Sequence, residues 1–208
     1  MERDTPPIPF EWDDAAGRDQ VVVLRGITWQ QYVAINNAIG ETPRPRMAYL
    51  DGELEVMTMS RRHELVKIML GRLVEAFAEE MDIPLDGYGN TTWQKEAELA
   101  GLEPDECYSI GELGEFPDLA IEVVHTSGGI NKLEIYRRLS VSEVWFWING
   151  RVYVYRLAGK YKLVANSVAL PGIDLDAIAH IIATTRSGGQ TAAVRAFRKT
   201  LHKPTGST

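Results

Sequence analysis

Apolar positions recur along this chain with two periods, and the places where the period changes mark the elements. Residues 21–24 form a short β-branched run. Thr28 then reads as the N-cap of a helix that carries Tyr32, Ile35 and Ile39 at helical spacing, broken by residues 40–45. Between Arg46 and Met59, Ala48, Leu50, Leu54 and Val56 alternate with polar residues around Asp51-Gly52, which predicts a hairpin. Ser60 caps the longest helical pattern, with Leu65, Ile68, Met69, Leu73, Ala76 and Phe77 as its apolar stripe, and Pro84 closes that region. Residues 87–94 read as a strand with Trp93 inward, 95–101 as a polar connection, and 107–110 as a short strand. Residues 119–124 are the strongest buried strand. Asn131 caps a helix through Leu133, Ile135, Tyr136 and Leu139. Residues 144–148 and 152–155 make a second hairpin around Asn149-Gly150, followed by a strand at 161–164 and a short helix at 175–182. This order predicts an α/β fold of the α+β kind, a mixed sheet with flanking helices. The expected division is an irregular N-terminal arm over 1–19, one domain over 20–186, and a flexible basic tail over 187–208.

Composition narrows the classes. At 208 residues, with 45% hydrophobic and 25% charged positions, the chain reads as an ordinary soluble globular protein with one core. No apolar run approaches the roughly 20 residues of a membrane helix, and Met1-Glu2-Arg3-Asp4 does not open a secretory signal, so no membrane partner is expected. A single cysteine, Cys107, forms no internal disulfide, which points to a reducing cytoplasm. The net charge of −7 argues against a sequence-independent nucleic-acid coat protein. It leaves room for a nuclease whose local basic face and bound cations hold phosphates. There is no Gly-x-Ser-x-Gly elbow, no phosphate-binding Gly-x-x-x-x-Gly-Lys loop and no zinc-type His/Cys spacing.

The chemistry sits in two acidic stretches, Glu103-Pro104-Asp105 and Phe116 to Val124. In the second, alternation places Asp118, Ala120, Glu122 and Val124 on one face. A carboxylate inside such an apolar run is costly unless paired, hydrogen-bonded or bound to a cation. Asp105 and Glu122 on adjacent strands would offer the oxygen ligands that a hard cation such as Mg²⁺ takes. Taken alone, Asp105 is equally a turn residue, and Asp118 a solvated residue at the strand start. Lys132 opens the following helix and can reach back to the carboxylates, or remain a solvated lysine. Glu64 lies in the first turn of the long helix, where the helix dipole favours an acid whatever its role. His63 is a site base, a phosphate donor or merely exposed; His125, just after the strand, is a further supporting candidate or a loop residue.

Four segments in this order, 46–64, 101–110, 117–124 and 131–136, resemble the Uma-type restriction endonuclease family, a domain abundant in cyanobacteria within the PD-(D/E)xK nuclease superfamily. The resemblance runs from about Thr28 to about Ile173. It implies a restriction-endonuclease-like core and a Mg²⁺-dependent endonuclease acting on DNA, with Mn²⁺ as a substitute ion. It maps Asp105 and Glu122 onto the two motif acids and Glu64 onto an added helical acid, so all three are expected metal ligands. The superfamily lysine lies two residues after the second acid, where this chain has Val124; Lys132 resembles a migrated lysine. Asp118, His63 and His125 are the expected supporting residues. Arg61, Arg62 and Lys67, with Arg137 or Arg138, would form a basic side for the backbone, and cutting both strands would call for a homodimer. The rival reading is a catalytically silent binding or structural protein on a nuclease scaffold.

Overall fold

Why the strands separate into two sheets follows from where apolar residues face both ways. The computed structural model describes residues 18–39, 45–124, 129–185 and 189–201. One sheet has five strands: β1 (Gln20–Arg25), β2 (Arg46–Leu50), β3 (Glu53–Thr58), β5 (Trp93–Lys95) and β6 (Ala100–Leu102). They lie side by side in the order β1-β3-β2-β6-β5. The other has six: β4 (Leu85–Gly87), β7 (Glu106–Ile110), β8 (Leu119–Val124), β9 (Glu143–Ile148), β10 (Arg151–Ala158) and β11 (Lys160–Val164), in the order β11-β10-β9-β8-β7-β4. Only β8 and β9 pair in parallel among these neighbours. A parallel pair needs a crossover, which α3 (Lys132–Arg138) supplies.

Both faces of both sheets are covered. Helix α1 (Trp29–Ile39) packs Trp29 and Tyr32 onto Met47, Tyr49 and Leu54. The other face of that sheet gives Ala48, Leu50, Ala100 and Leu102 to a core shared with Ile135 and Tyr136 of α3 and with Cys107, Ala120, Val144 and Phe146 of the six-stranded sheet. The far face of the six-stranded sheet buries Leu119, Ile121, Val123, Trp145 and Trp147 against α2 (Arg61–Glu80), α4 (Leu175–Thr184) and α5 (Gln190–Leu201). This is the mixed α+β architecture that the hydrophobic pattern predicts.

Local signals hold where they are strong. Both hairpin turns take the positive φ that their sequences permit: Asp51 48° and Gly52 91°, Asn149 49° and Gly150 82°. Thr28 Oγ1 accepts from the Gln31 N–H at 3.2 Å, Ser60 Oγ from His63 at 3.2 Å, and Asn131 Oδ1 from Glu134 at 3.2 Å.

Four expectations change. Residues 87–94 are not one strand: β4 joins the six-stranded sheet, a turn intervenes, and β5 joins the other. The polar connection over 95–101 holds a 3₁₀ turn at Glu96–Glu98 and then β6, whose three small or apolar residues pair with Leu50 to Ala48. On α2, Met69, Leu73, Ala76 and Phe77 are buried as expected, but Val66, Leu70 and Val74 join them, leaving Ile68 42% exposed and Leu65 half-buried. The expected flexible tail is helical over Gln190–Leu201: Phe197 is buried in the α2 core, and Arg198 pairs with Glu79 and Glu80 of α2. No helix among the described residues is long and apolar enough to cross a membrane.

Candidate active site

Strands β7 and β8 run antiparallel, with Cys107 opposite Ala120 and Glu106 opposite Ile121. One further step of that register sets Asp105 opposite Glu122. Both carboxylates are buried, each 1% exposed. Asp105 Oδ2 accepts the Val123 N–H at 2.7 Å, and Oδ1 bonds His63 Nε2 at 2.8 Å and lies 3.2 Å from the Arg46 guanidinium. Arg46 also donates to the Pro104 carbonyl. On the other side, Glu122 Oε2 accepts from Lys132 Nζ at 2.8 Å and Oε1 from the Tyr136 hydroxyl at 2.5 Å. Lys132 and Tyr136 are four residues apart and so share one face of α3. The Asn131 cap fixes where that helix starts, and with it the origin of the lysine stem.

Two further acids complete the group. Glu55 of β3, 4% exposed, accepts the Ile130 N–H at 3.0 Å and lies 3.8 Å from Lys132 Nζ. Gly129 permits this approach, since a Cβ there would collide with the Glu55 carboxylate. Asp19, immediately before β1, accepts the Ser60 N–H at 2.7 Å and bonds His63 Nδ1 at 2.9 Å. Ionised carboxylates only accept, so a ring between Asp19 and Asp105 carries protons on both nitrogens.

The electrostatics agree. Burial alone would lower the His63 pKa, but the hydrogen bonds to Asp105 and Asp19 raise it to about 9. Burial would raise Asp19, and His63 with the Ser60 N–H instead holds it at about 2. Asp105 resists its own burial in the same way and stays low, held by His63, Arg46 and Lys132. Glu122 behaves differently. Burial and the Asp105 charge raise its pKa, and Lys132 and Tyr136 only partly offset this. Lys132 itself is raised: burial would lower it, but Glu122, Glu55 and Asp105 keep it protonated. Beside the group opens a cavity of about 340 Å³ whose walls include Glu55, Lys132, Val124, Phe146, Ile148 and Tyr155.

Residues 29–183 match the model of a family, Uma2, described as "Putative restriction endonuclease". The chain belongs to this family. A search of the curated proteins gives no match. Among solved structures, the chain is similar to a protein from Anabaena variabilis described as "a putative nuclease belonging to DUF820". That similarity has 16% identity and a TM-score of 0.52 and covers 74% of this chain and 99% of that one, so it is a likeness of fold.

Within this family member, Asp105, Glu122, Lys132 and His63 come together as a group, while Glu64 and Asp118 engage other partners. Glu64 pairs with Lys67 at 2.7 Å, and its side chain is 36% exposed. The cause is helical phase: successive residues are about 100° apart, and α2 turns His63, not Glu64, toward Asp105. Asp118 accepts the Ile110 N–H at 2.9 Å and closes the turn between β7 and β8. His125 lies outside the described residues. Arg61 and Arg62 are exposed in the first turn of α2. Arg137 and Arg138 are instead engaged with Glu134, and Arg138 also with Asp51.

Asp19, Arg46, Glu55 and Tyr136 escaped the sequence reading. Glu55 alternates with Leu54 and Val56, which reads as a strand with a solvent face; here the second face is also covered. Tyr136 was legible only as a core position, although its i+4 relation to Lys132 carried the signal. Asp19 sits before any periodic run. Among the described residues no three His, Cys, Asp or Glu side chains form a metal-ligand set. The donor chemistry still fits a hard divalent cation in part. Asp105 and Glu122 are adjacent oxygen donors whose mutual repulsion such an ion relieves, with water filling the remaining positions.

Proposed function

We propose that this protein is a divalent-metal-dependent endonuclease of the PD-(D/E)xK kind that hydrolyses phosphodiester bonds in DNA. One observation carries the reading: two buried carboxylates, Asp105 just before β7 and Glu122 on the neighbouring β8, with the Lys132 ammonium 2.8 Å from the second. Asp105 and Glu122 would hold Mg²⁺, or Mn²⁺ in its place. When bound, that ion supplies Lewis acidity to the phosphate and lowers the pKa of a water. Lys132 orients the attacking water and stabilises the negative charge that builds on the phosphoryl oxygens. Tyr136 fixes Glu122, and Glu55 holds the lysine from its other side. Arg61 and Arg62 contact the DNA backbone. Cleavage of both strands takes two such sites and hence a homodimer.

The test is a melting experiment with and without Mn²⁺, paired with a plasmid-nicking assay. Binding stabilises the native state, so the ion raises the melting temperature of the wild type, and Asp105→Ala loses that rise. Nicking needs the ion and falls sharply in Lys132→Ala with the fold intact. A melting temperature that ignores the ion in the wild type sinks the reading. The rival, a silent scaffold, is favoured by one feature: Arg46, His63 and Lys132 already neutralise much of the acid charge.

A further inference from the structure

Three buried side chains from distant parts of the chain form one line. Asp19 precedes β1 of the five-stranded sheet, His63 lies on α2, and Asp105 precedes β7 of the six-stranded sheet. Asp19 is 6% exposed, Asp105 1% and His63 0%. We infer that Asp19 and His63 are a positioning pair: anchored through Asp19, the imidazole fixes the rotamer of Asp105 and so its orientation toward Glu122. The inference rests on the nuclease reading for what Asp105 does, and on geometry for how it is held.

The hydrogen bonds argue for orientation over simple packing. Each Asp105 oxygen is engaged from a different direction, Oδ1 by His63 and Arg46, Oδ2 by the Val123 N–H, so rotation of the carboxylate would break a bond on either side. The ring is held just as firmly. Asp19 bonds Nδ1 through one oxygen and the Ser60 N–H through the other, and Ser60 caps the helix that carries His63. Apolar side chains of similar size at all three positions would fill this space without desolvating charged groups, so packing alone gives no reason for an imidazole between two carboxylates. A second carboxylate behind a histidine fixes the orientation of its ring, and loss of such outer partners costs about 10–100-fold in metal affinity elsewhere.

The experiment separates the two ring nitrogens. The amide of His63→Gln can replace the Nε2 donor toward Asp105, while that of His63→Asn replaces Nδ1 toward Asp19. Mn²⁺ is titrated against melting temperature for the wild type, both His63 variants, Asp19→Asn and Asp19→Ala. His63→Asn, His63→Gln and Asp19→Ala each break one of the two bonds, so each should raise the half-saturating Mn²⁺ concentration about tenfold or more. Variants that all lose melting temperature yet keep wild-type half-saturation overturn the inference. A second readout needs no metal. The His63 ring N–H proton resonances report both bonds, and Asp19→Asn, which is isosteric, should move the Nε2–H signal as well as the Nδ1–H signal. An Nε2–H signal that stays in place overturns the pair. If wild type ignores Mn²⁺, the nuclease reading fails, and the resonances still decide whether Asp19 holds the ring on Asp105.

Discussion

Two glutamates, Glu122 on β8 and Glu143 on β9, sit on neighbouring parallel strands, each 1% exposed, and are satisfied in opposite ways. Glu143 is surrounded by neutral donors: Trp145 Nε1 at 2.7 Å, Ser167 Oγ at 2.6 Å, and the Val168 and Ala169 N–H groups at 2.8 and 3.3 Å. Those bonds pin the segment around Ser167 to the start of β9, and the carboxylate works as a structural staple. Glu122 has one ammonium, one hydroxyl and an opposing carboxylate instead. Neutral dipoles arranged around an acid suit permanence. A charge balanced by another charge, next to a cavity, is what the proposed catalytic role asks for. Burial alone therefore does not distinguish the proposed reactive acid from a structural one; the partners do.

Substitution should separate the two in kind. Glu122→Gln should lower nicking by about 100-fold or more while changing stability by about 2 kcal/mol or less, because the amide keeps the shape and a partner for Tyr136. Glu143→Ala should do the reverse. It strands four donors and should cost on the order of 4 kcal/mol in denaturant unfolding, with the activity of the remaining folded protein retained. Equal stability losses in both would erase the distinction.

A pH series sharpens it. His63 is raised from 6.5 to about 9 in the folded protein. The stability it brings is therefore fully present below about pH 6.5 and is lost as pH rises through about 9, a loss of about 3 kcal/mol at most. Asp19, lowered from 3.8 to about 2, brings its share above about pH 4 and loses it as pH falls through about 2. The combined contribution of His63 and Asp19 to stability against urea should thus be flat from about pH 4 to 6.5 and decline toward pH 9. The alkaline decline should disappear in His63→Gln and persist in Glu143→Gln. The smallest effect is expected for Gly129→Ala. Its methyl group would displace Glu55, costing about 1–3 kcal/mol and weakening the grip on Lys132.

What the chain reveals by itself is mostly local. Caps at Thr28, Ser60 and Asn131, turns at Asp51-Gly52 and Asn149-Gly150, and the apolar run 119–124 all act within a few residues, and all are legible. Strand β6 is three residues long, too short to show a period. Helix α5 depends on Phe197 entering the α2 core and Arg198 meeting Glu79 and Glu80 more than 100 positions away, which no local pattern encodes. At the site, Asp105 and Glu122 were visible because an acid beside or within an apolar strand calls for a partner. The choice between His63 and Glu64 turned on one residue of helical phase, set by how α2 docks. Glu55 and Asp19 belong to the other sheet and become neighbours of Lys132 and His63 only when the two sheets close on each other.

Helix α3 also links Lys132 to the order of the strands. Its crossover joins β8 to β9, so the ammonium rides on a rigid lever outside the sheet, and Val124 is free to face the apolar layer beneath. A lysine on the strand itself would move only if the pleat moved. Here a small slide or roll of α3 would re-aim the cation between Glu122 and Glu55 and leave the ladder of the sheet intact. On the proposed reading, reactivity and architecture thus become separately adjustable, and changes packed under Ile135 and Leu139 are the natural place to tune one without disturbing the other.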